Sequence, residues 1–182
     1  DLDKDIPKDF DSKCNHRHQL LKEYQNNNYA QKYYNIVKKV DQADSKGELA
    51  DAVMLNLYKL MAYKDEYEVA RLWDKTLSGF NNDFFEIKGI NFHLSMPWQR
   101  KAKKKTKLPG YTKTFFKMLK YGKVLRGTKF DLLGYSAERK LERKIRDFYI
   151  KKIEEWISEL NDDNYNEIVA LAKQPEEIRG YA

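Results

Sequence analysis

Cysteine is almost missing from this chain of 182 residues, and its one thiol, Cys14, excludes an internal disulfide. A self-contained iron–sulfur cluster is excluded with it, since such clusters are held as a rule by about four thiolates. No apolar run approaches the roughly 20 residues of a membrane helix. Asp1 opens no secretory signal, and the lack of an initiator methionine points to a piece of a longer chain. There is no Gly-rich phosphate loop, no nucleophile elbow and no carboxylate pair of diagnostic spacing. Internal repeats and low-complexity stretches are absent too. These absences describe a cytoplasmic globular domain from which catalysis by the chain alone is not expected.

Acid is missing from one region only. Between Ile87 and Phe130 no Asp or Glu occurs, while 13 of the 35 Lys and Arg fall there. Taking 13 from 35 leaves 22 basic residues elsewhere, against 28 acidic ones. The net charge of +7 is therefore a mildly acidic body with one basic stretch, which points to a negatively charged partner. Its densest part is Arg100, Lys101, Lys103, Lys104, Lys105 and Lys107, followed by a lysine stripe beside Tyr111, Phe115, Phe116 and Tyr121. Basic groups among aromatics suit single-stranded nucleic acid, so a stand-alone nucleic-acid module over 100–129 is one reading. Some of those aromatics keep core spacing and no RNA-binding signature accompanies them, which favours a solvated or partner-facing loop.

With 41% apolar residues the chain can build a real core, and a single domain over 1–182 is expected. Asp11 or Ser12 can cap a first helix to about Gln25. Asn28 with Gln31 resembles a capping box for a second, whose Ala30, Tyr33, Tyr34, Val37 and Val40 follow 3,4,3 spacing. Ser45 with Glu48 predicts the start of a long apolar helix to Ser78-Gly79, with a break on the way. Around Lys88-Gly89, Phe85, Ile87, Ile90, Phe92 and Leu94 alternate, predicting a small hairpin within about 83–95. A helix from Tyr111 to about Val124 follows. Ser136 caps the longest one, with Leu141, Ile145, Phe148, Ile153, Trp156 and Leu160 as its apolar stripe. A last short helix spans about Asp163 to Lys173. The class is mainly α, a bundle-like domain with a small β-hairpin insertion.

Charge chemistry concentrates at two places. Lys64, Asp65, Glu66, Glu68 and Arg71 follow an almost wholly apolar stretch, Leu49 to Tyr63. Lys64, Asp65 and Glu68 have the functional groups for acid–base work. Lys64–Glu68 and Glu68–Arg71 also have helical i,i+4 and i,i+3 spacing, so a structural ion network is favoured. On the Ser136 helix, Arg139, Lys140, Arg143, Lys144 and Arg146 come early and Glu154, Glu155 and Glu159 late, against the helix dipole. Such guanidinium at an N-terminal end can be a docking surface, or a solvated face with pairs such as Lys151–Glu155. Cys14 and His18 lie four apart but fall short of a zinc ligand set. His93, between two apolar residues, reads as a hydrogen-bonded structural histidine.

Several segments together are similar to one family. Tyr58-Lys59-Leu60-Met61-Ala62-Tyr63-Lys64-Asp65-Glu66-Tyr67-Glu68-Val69-Ala70-Arg71-Leu72 resembles the hallmark run of a C-terminal domain in fused indolepyruvate ferredoxin oxidoreductases. Tyr24-Gln25 with Tyr29-Ala30, Phe92-His93-Leu94, Leu125-Arg126-Gly127-Thr128 with Phe130-Asp131, and Gly134-Tyr135 match in the same order. So do Glu138-Arg139 with Glu142-Arg143, and Pro175 with Ile178-Arg179-Gly180-Tyr181. Ser95-Met96 before Pro97, and Leu132-Leu133, depart from the family's pattern.

The resemblance implies a parent 2-oxoacid:acceptor oxidoreductase that decarboxylates oxidatively with coenzyme A. Thiamine diphosphate, Mg²⁺ and 4Fe-4S clusters would serve it, with ferredoxin as electron acceptor. No such cofactor site is expected in this chain, which would be an accessory domain packed on other domains or a second subunit. Its structural or interface candidates are Lys64, Asp65, Glu66, Glu68, Arg71, His93, Arg126, Asp131, Arg139, Arg143 and Arg179.

Overall fold

A computed structural model describes residues 9–83, 92–94, 106–108, 119 and 121–178. Within these the chain is mainly helical. The elements are α1 (Phe10–Tyr24), α2 (Asn27–Ala43), α3 (Glu48–Met61), α4 (Glu66–Asp83), β1 (Phe92–Leu94), β2 (Thr106–Leu108), α5 (Ala137–Glu159) and α6 (Tyr165–Lys173). Short 3₁₀ turns occupy Gly122–Leu125, Leu132–Tyr135 and Gln174–Glu177. The chain divides into two compact units, Asp1–Tyr63 with Leu125–Ala182, and Lys64–Val124.

In the first unit α3 is the central element. Leu49, Ala50, Ala52, Val53, Met54, Asn56, Leu57 and Met61 are all buried, on more of the helix than one apolar stripe covers. A helix so enclosed must be packed from several sides, and α1, α2, α5 and α6 all touch it. Leu21 and Tyr24 of α1, Tyr33, Val37 and Val40 of α2, Ile153 and Trp156 of α5, and Ile168 and Val169 of α6 complete the core. Full burial of each large aliphatic is worth roughly 1.5–3 kcal/mol. Two tyrosine hydroxyls buried in that core find carbonyls: Tyr33 donates to Met54 at 2.8 Å, and Tyr149 to Ala172 at 2.7 Å.

Helix starts differ from the sequence expectation in instructive ways. Asp9, not Asp11 or Ser12, caps α1 by accepting from the Ser12 amide, and Asn26 caps α2 by accepting from Tyr29. Ser136 caps α5 as its spacing predicts, accepting from the Arg139 amide. The Ser45 capping box does not form. Instead the Asp44 carboxylate accepts from the amides of Lys46 and Ala50, and the Tyr165 hydroxyl donates to it at 3.0 Å. That hydroxyl in turn accepts from the amides of Glu48 and Leu49. A tyrosine from α6 supplies what Ser45 could not, so tertiary contact overrides the local signal.

The break expected in the long apolar helix falls at Met61, and its end is corrected: the charged run begins a new helix that continues past Ser78-Gly79 to Asp83. The stripe of α5 is partly turned: Ile153 and Trp156 are buried with Tyr149 and Ile150, while Leu141 and Phe148 face outward. Most of the hairpin expected within 83–95 lies outside the described residues. Phe92–Leu94 pairs antiparallel with Thr106–Leu108, Phe92 opposite Leu108, and Phe85, Ile87 and Ile90 lie outside the described residues. Alternation marks a strand's faces but does not choose its partner. Most of the helix expected over 111–124 likewise lies outside the described residues, which show a 3₁₀ turn at Gly122–Leu125.

Candidate functional site

In the second unit the charged run builds a helix start. Asp65, buried, accepts from the Glu68 amide at 2.8 Å, and its carbonyl accepts from Val69. Glu66 and Glu68 place acid in the first turn of α4, where the helix dipole favours it. Arg71 donates to Glu68 through Nε at 2.9 Å and through its terminal nitrogen at 2.8 Å, a two-point contact. Both side chains are only 13% exposed, so the pair is shielded from solvent screening. Lys64 is exposed and pairs with none of the described residues, so the Lys64–Glu68 pair does not form. Behind the helix, Tyr67 lies against Gly122, where a Cβ would come 2.7 Å from the ring.

In the first unit a second aspartate organises a loop. Asp131 is 3% exposed and accepts from the Gly127 amide at 2.8 Å and the Gly134 amide at 3.0 Å. Gly127 has φ +77°, a conformation that glycine adopts without steric cost. At Gly134 a Cβ would collide with the Asp131 carboxylate. The Arg126 guanidinium stacks on Tyr24, 3.7 Å from the ring centre, and donates to the Tyr24 carbonyl at the C-terminal end of α1. Arg143 reaches back from α5 to the Gly134 carbonyl at 2.5 Å.

Arg139 completes a third cluster. It donates to Glu142 at 2.9 Å and lies 4.5 Å over the Tyr63 ring. Burial and a hydrogen bond to Glu142 push the Tyr63 hydroxyl up to about 12. Burial raises the Glu142 carboxyl above its ordinary range, with Tyr63 and Arg139 pulling the other way. Arg139 and Arg143, read from sequence as a docking surplus, are thus engaged within the fold. Arg146 joins them, held by Asp147 at 2.8 Å.

Among the remaining candidates, His93 and Lys107 lie in β1 and β2, with side chains outside the described set. Arg100, Lys101, Lys103, Lys104, Lys105 and Arg179 lie outside the described residues altogether. The Asp44–Tyr165 pin escapes sequence reasoning. So does the seating of the C-terminal turn, where Lys59 donates to the Pro175 carbonyl at 2.6 Å and Asn56 to Glu176 at 3.2 Å. These partners stand more than a hundred residues apart, beyond any local spacing rule.

None of these three clusters offers a ligand set for the metal cofactors that the resemblance implies for a parent enzyme. Among the described residues no three His, Cys, Asp or Glu side chains gather as metal ligands. Cys14 is buried in the core and is the only thiol for a four-thiolate cluster. No helix of the described residues is long and apolar enough to cross a membrane.

Residues 10–182 match the model of a protein family described as a family of unknown function, DUF6537. No curated protein and no solved structure matches the chain. The chain belongs to the DUF6537 family.

Proposed function

We propose that this DUF6537 member is a non-catalytic accessory domain of a thiamine-diphosphate-dependent indolepyruvate or other 2-oxoacid ferredoxin oxidoreductase. Its work is to dock on, and help assemble, the catalytic core. The observation that carries this reading is the use made of the residues that carry the resemblance. Asp65, Glu68, Arg71, Arg126, Asp131, Arg139 and Arg143 are occupied as caps, loop fasteners and ion pairs. Groups so engaged specify a shape, whereas a general acid or base must reach a substrate proton. Thiamine diphosphate, Mg²⁺, 4Fe-4S clusters and the ferredoxin contact would belong to the rest of the parent, on the same polypeptide or on a second subunit. Oxidative decarboxylation and acyl transfer to coenzyme A would proceed there.

The test has two arms. The complete reading frame, or that of a co-purifying subunit, is expected to carry cluster cysteines and thiamine-diphosphate-binding residues. Removing this chain from that enzyme should lower the yield of assembled holoenzyme while leaving turnover per assembled core. A parent without those residues, or one that assembles equally well without the chain, would overturn the reading.

A further inference from the structure

Among the buried residues of α3 one is polar: Asn56, fully enclosed. Its carboxamide nitrogen donates to the Ala52 carbonyl, one turn back, at 3.0 Å and to the Glu176 carboxylate at 3.2 Å. The carboxamide oxygen is buried as well and accepts from none of the described residues. Turning the amide over does not repair this. Its oxygen would then face a carbonyl and a carboxylate, neither of which has a hydrogen to give. A buried acceptor without a donor is disfavoured against the same group in water.

The Gln174–Glu177 turn lies against α3 at this point. Little holds it there. Pro175 is its one buried residue, while Gln174, Glu176 and Glu177 are exposed. Lys59 donates to the Pro175 carbonyl at 2.6 Å and the Glu176 carbonyl at 3.1 Å, but from an exposed position where water competes. The chain just before the turn is fixed far better. Buried Tyr149 donates to the Ala172 carbonyl, and Tyr165 ties the head of α6 to Asp44. A firmly seated helix thus ends in a turn with few contacts to lose.

We propose that the Gln174–Glu177 turn is a strap that opens and closes on α3 while the rest of the first unit stays folded. Closed, it covers Asn56 and leaves the carboxamide oxygen without a donor. Open, it admits water to that oxygen, and the hydration gained offsets the Glu176 and Lys59 contacts given up. Opening also makes a carboxamide and an ammonium available together, at i and i+3 on one side of α3. The balance is set by the carboxylate of Glu176, which can accept from Asn56 but cannot donate back. A carboxamide at 176 could do both, meeting the nitrogen and the oxygen of Asn56 at once.

Exchange of the Asn56 side-chain amide hydrogens with solvent, followed by NMR in the intact chain, reads the opening directly. Corrected for intrinsic rates, they should be at least about tenfold less protected than the backbone amide of neighbouring Leu57, which is buried in α3. Glu176→Gln should slow their exchange about tenfold, because it supplies the missing donor. Glu176→Ala, which removes the same charge and supplies nothing, should speed it. Glu176 is exposed, so neither substitution endangers the core. Asn56 hydrogens as well protected as the Leu57 amide would mean that the turn opens only when the whole unit unfolds, and would overturn the strap. Equal exchange in the glutamine and alanine variants would overturn it too, leaving a turn that merely frays.

Discussion

The two halves of α5 treat the same kinds of residue in opposite ways. From Tyr149 onward apolar side chains go inward and charged ones outward, as Ile153, Trp156, Lys151 and Glu154 show. Before Tyr149 the guanidinia lie half-buried, fastened to Glu142, Gly134 and Asp147, and Leu141 and Phe148 stand in solvent. The second half is placed by hydrophobic packing on α3. The first half is placed by polar contacts to its own leading loop, which leaves its apolar residues unspent. Hydrophobic packing and polar fastening are thereby divided along one helix, and substitution can separate them.

The largest contrast should come from truncating an apolar residue in each half. Ile153→Ala opens a cavity beside α3 and should cost about 2–5 kcal/mol. Leu141→Ala should stay within about 0.5 kcal/mol, because its side chain leaves no cavity. Urea unfolding of the two variants measures both. Equal losses would break the division of the helix.

Next in size is the fastening of the first half. Asp131→Ala strands the Gly127 amide, at roughly 1–3 kcal/mol if it stays buried and unpaired, while the Gly134 amide keeps the Asp131 main-chain carbonyl at 3.0 Å. Hydrogen exchange should show the Gly127 amide losing protection while the Tyr149–Glu159 half keeps its own. Loss of protection along all of α5 would mean that the halves are not independently held.

The same division decides what the sequence disclosed. Helix number and type in the first unit were readable from 3,4 spacing, and the Ser136 cap from a serine three residues ahead of an amide it can reach. The α5 stripe was misjudged for a physical reason. Its N-terminal half has apolar residues at core spacing, but the polar fastening of Arg139 and Arg143 sets which side faces in. Ser45 misled because Asp44, one residue earlier, is joined there by Tyr165 from far along the chain. At the charged run, the Glu68–Arg71 pair and a break in the helix were legible, whereas the buried Asp65 cap and the place of that break at Met61 were not. Gly127, Asp131 and Gly134 were marked only by the resemblance, and that one carboxylate serves both glycines is a fact of backbone geometry.

A smaller effect probes the polar anchoring through pH. Burial holds the folded-state Glu142 carboxyl above its ordinary value of 4.5, so the folded protein binds that proton more tightly than the unfolded one. Glu142's titration therefore adds stability below pH 4.5 and loses it as pH rises through the raised folded value. Asp44 has the opposite sign. Burial pushes its carboxyl up, but the Ala50, Lys46 and Gly47 amides and the Tyr165 hydroxyl outweigh that and hold it below 3.8. Its contribution is present above pH 3.8 and fades as pH falls through the lowered value. Glu142→Gln should remove a dependence just above pH 4.5, and Asp44→Asn one below pH 3.8. Identical pH profiles for the two variants would contradict both assignments.

The smallest effect is expected where the two halves meet. Lys151 reaches Glu155 at 3.8 Å with its side chain 75% exposed, while Lys152 holds the same carboxylate at 2.5 Å. Removing Lys151 leaves Glu155 with its closer partner, and an exposed ammonium gains little from a pair it shares. Lys151→Ala should therefore leave the melting midpoint unmoved within measurement. Lys144→Glu should do the same, since that lysine has no ion-pair partner among the described residues. If Lys144→Glu instead lowered the midpoint, the first half of α5 would depend on its outward charge, and its lysines would belong to the fold.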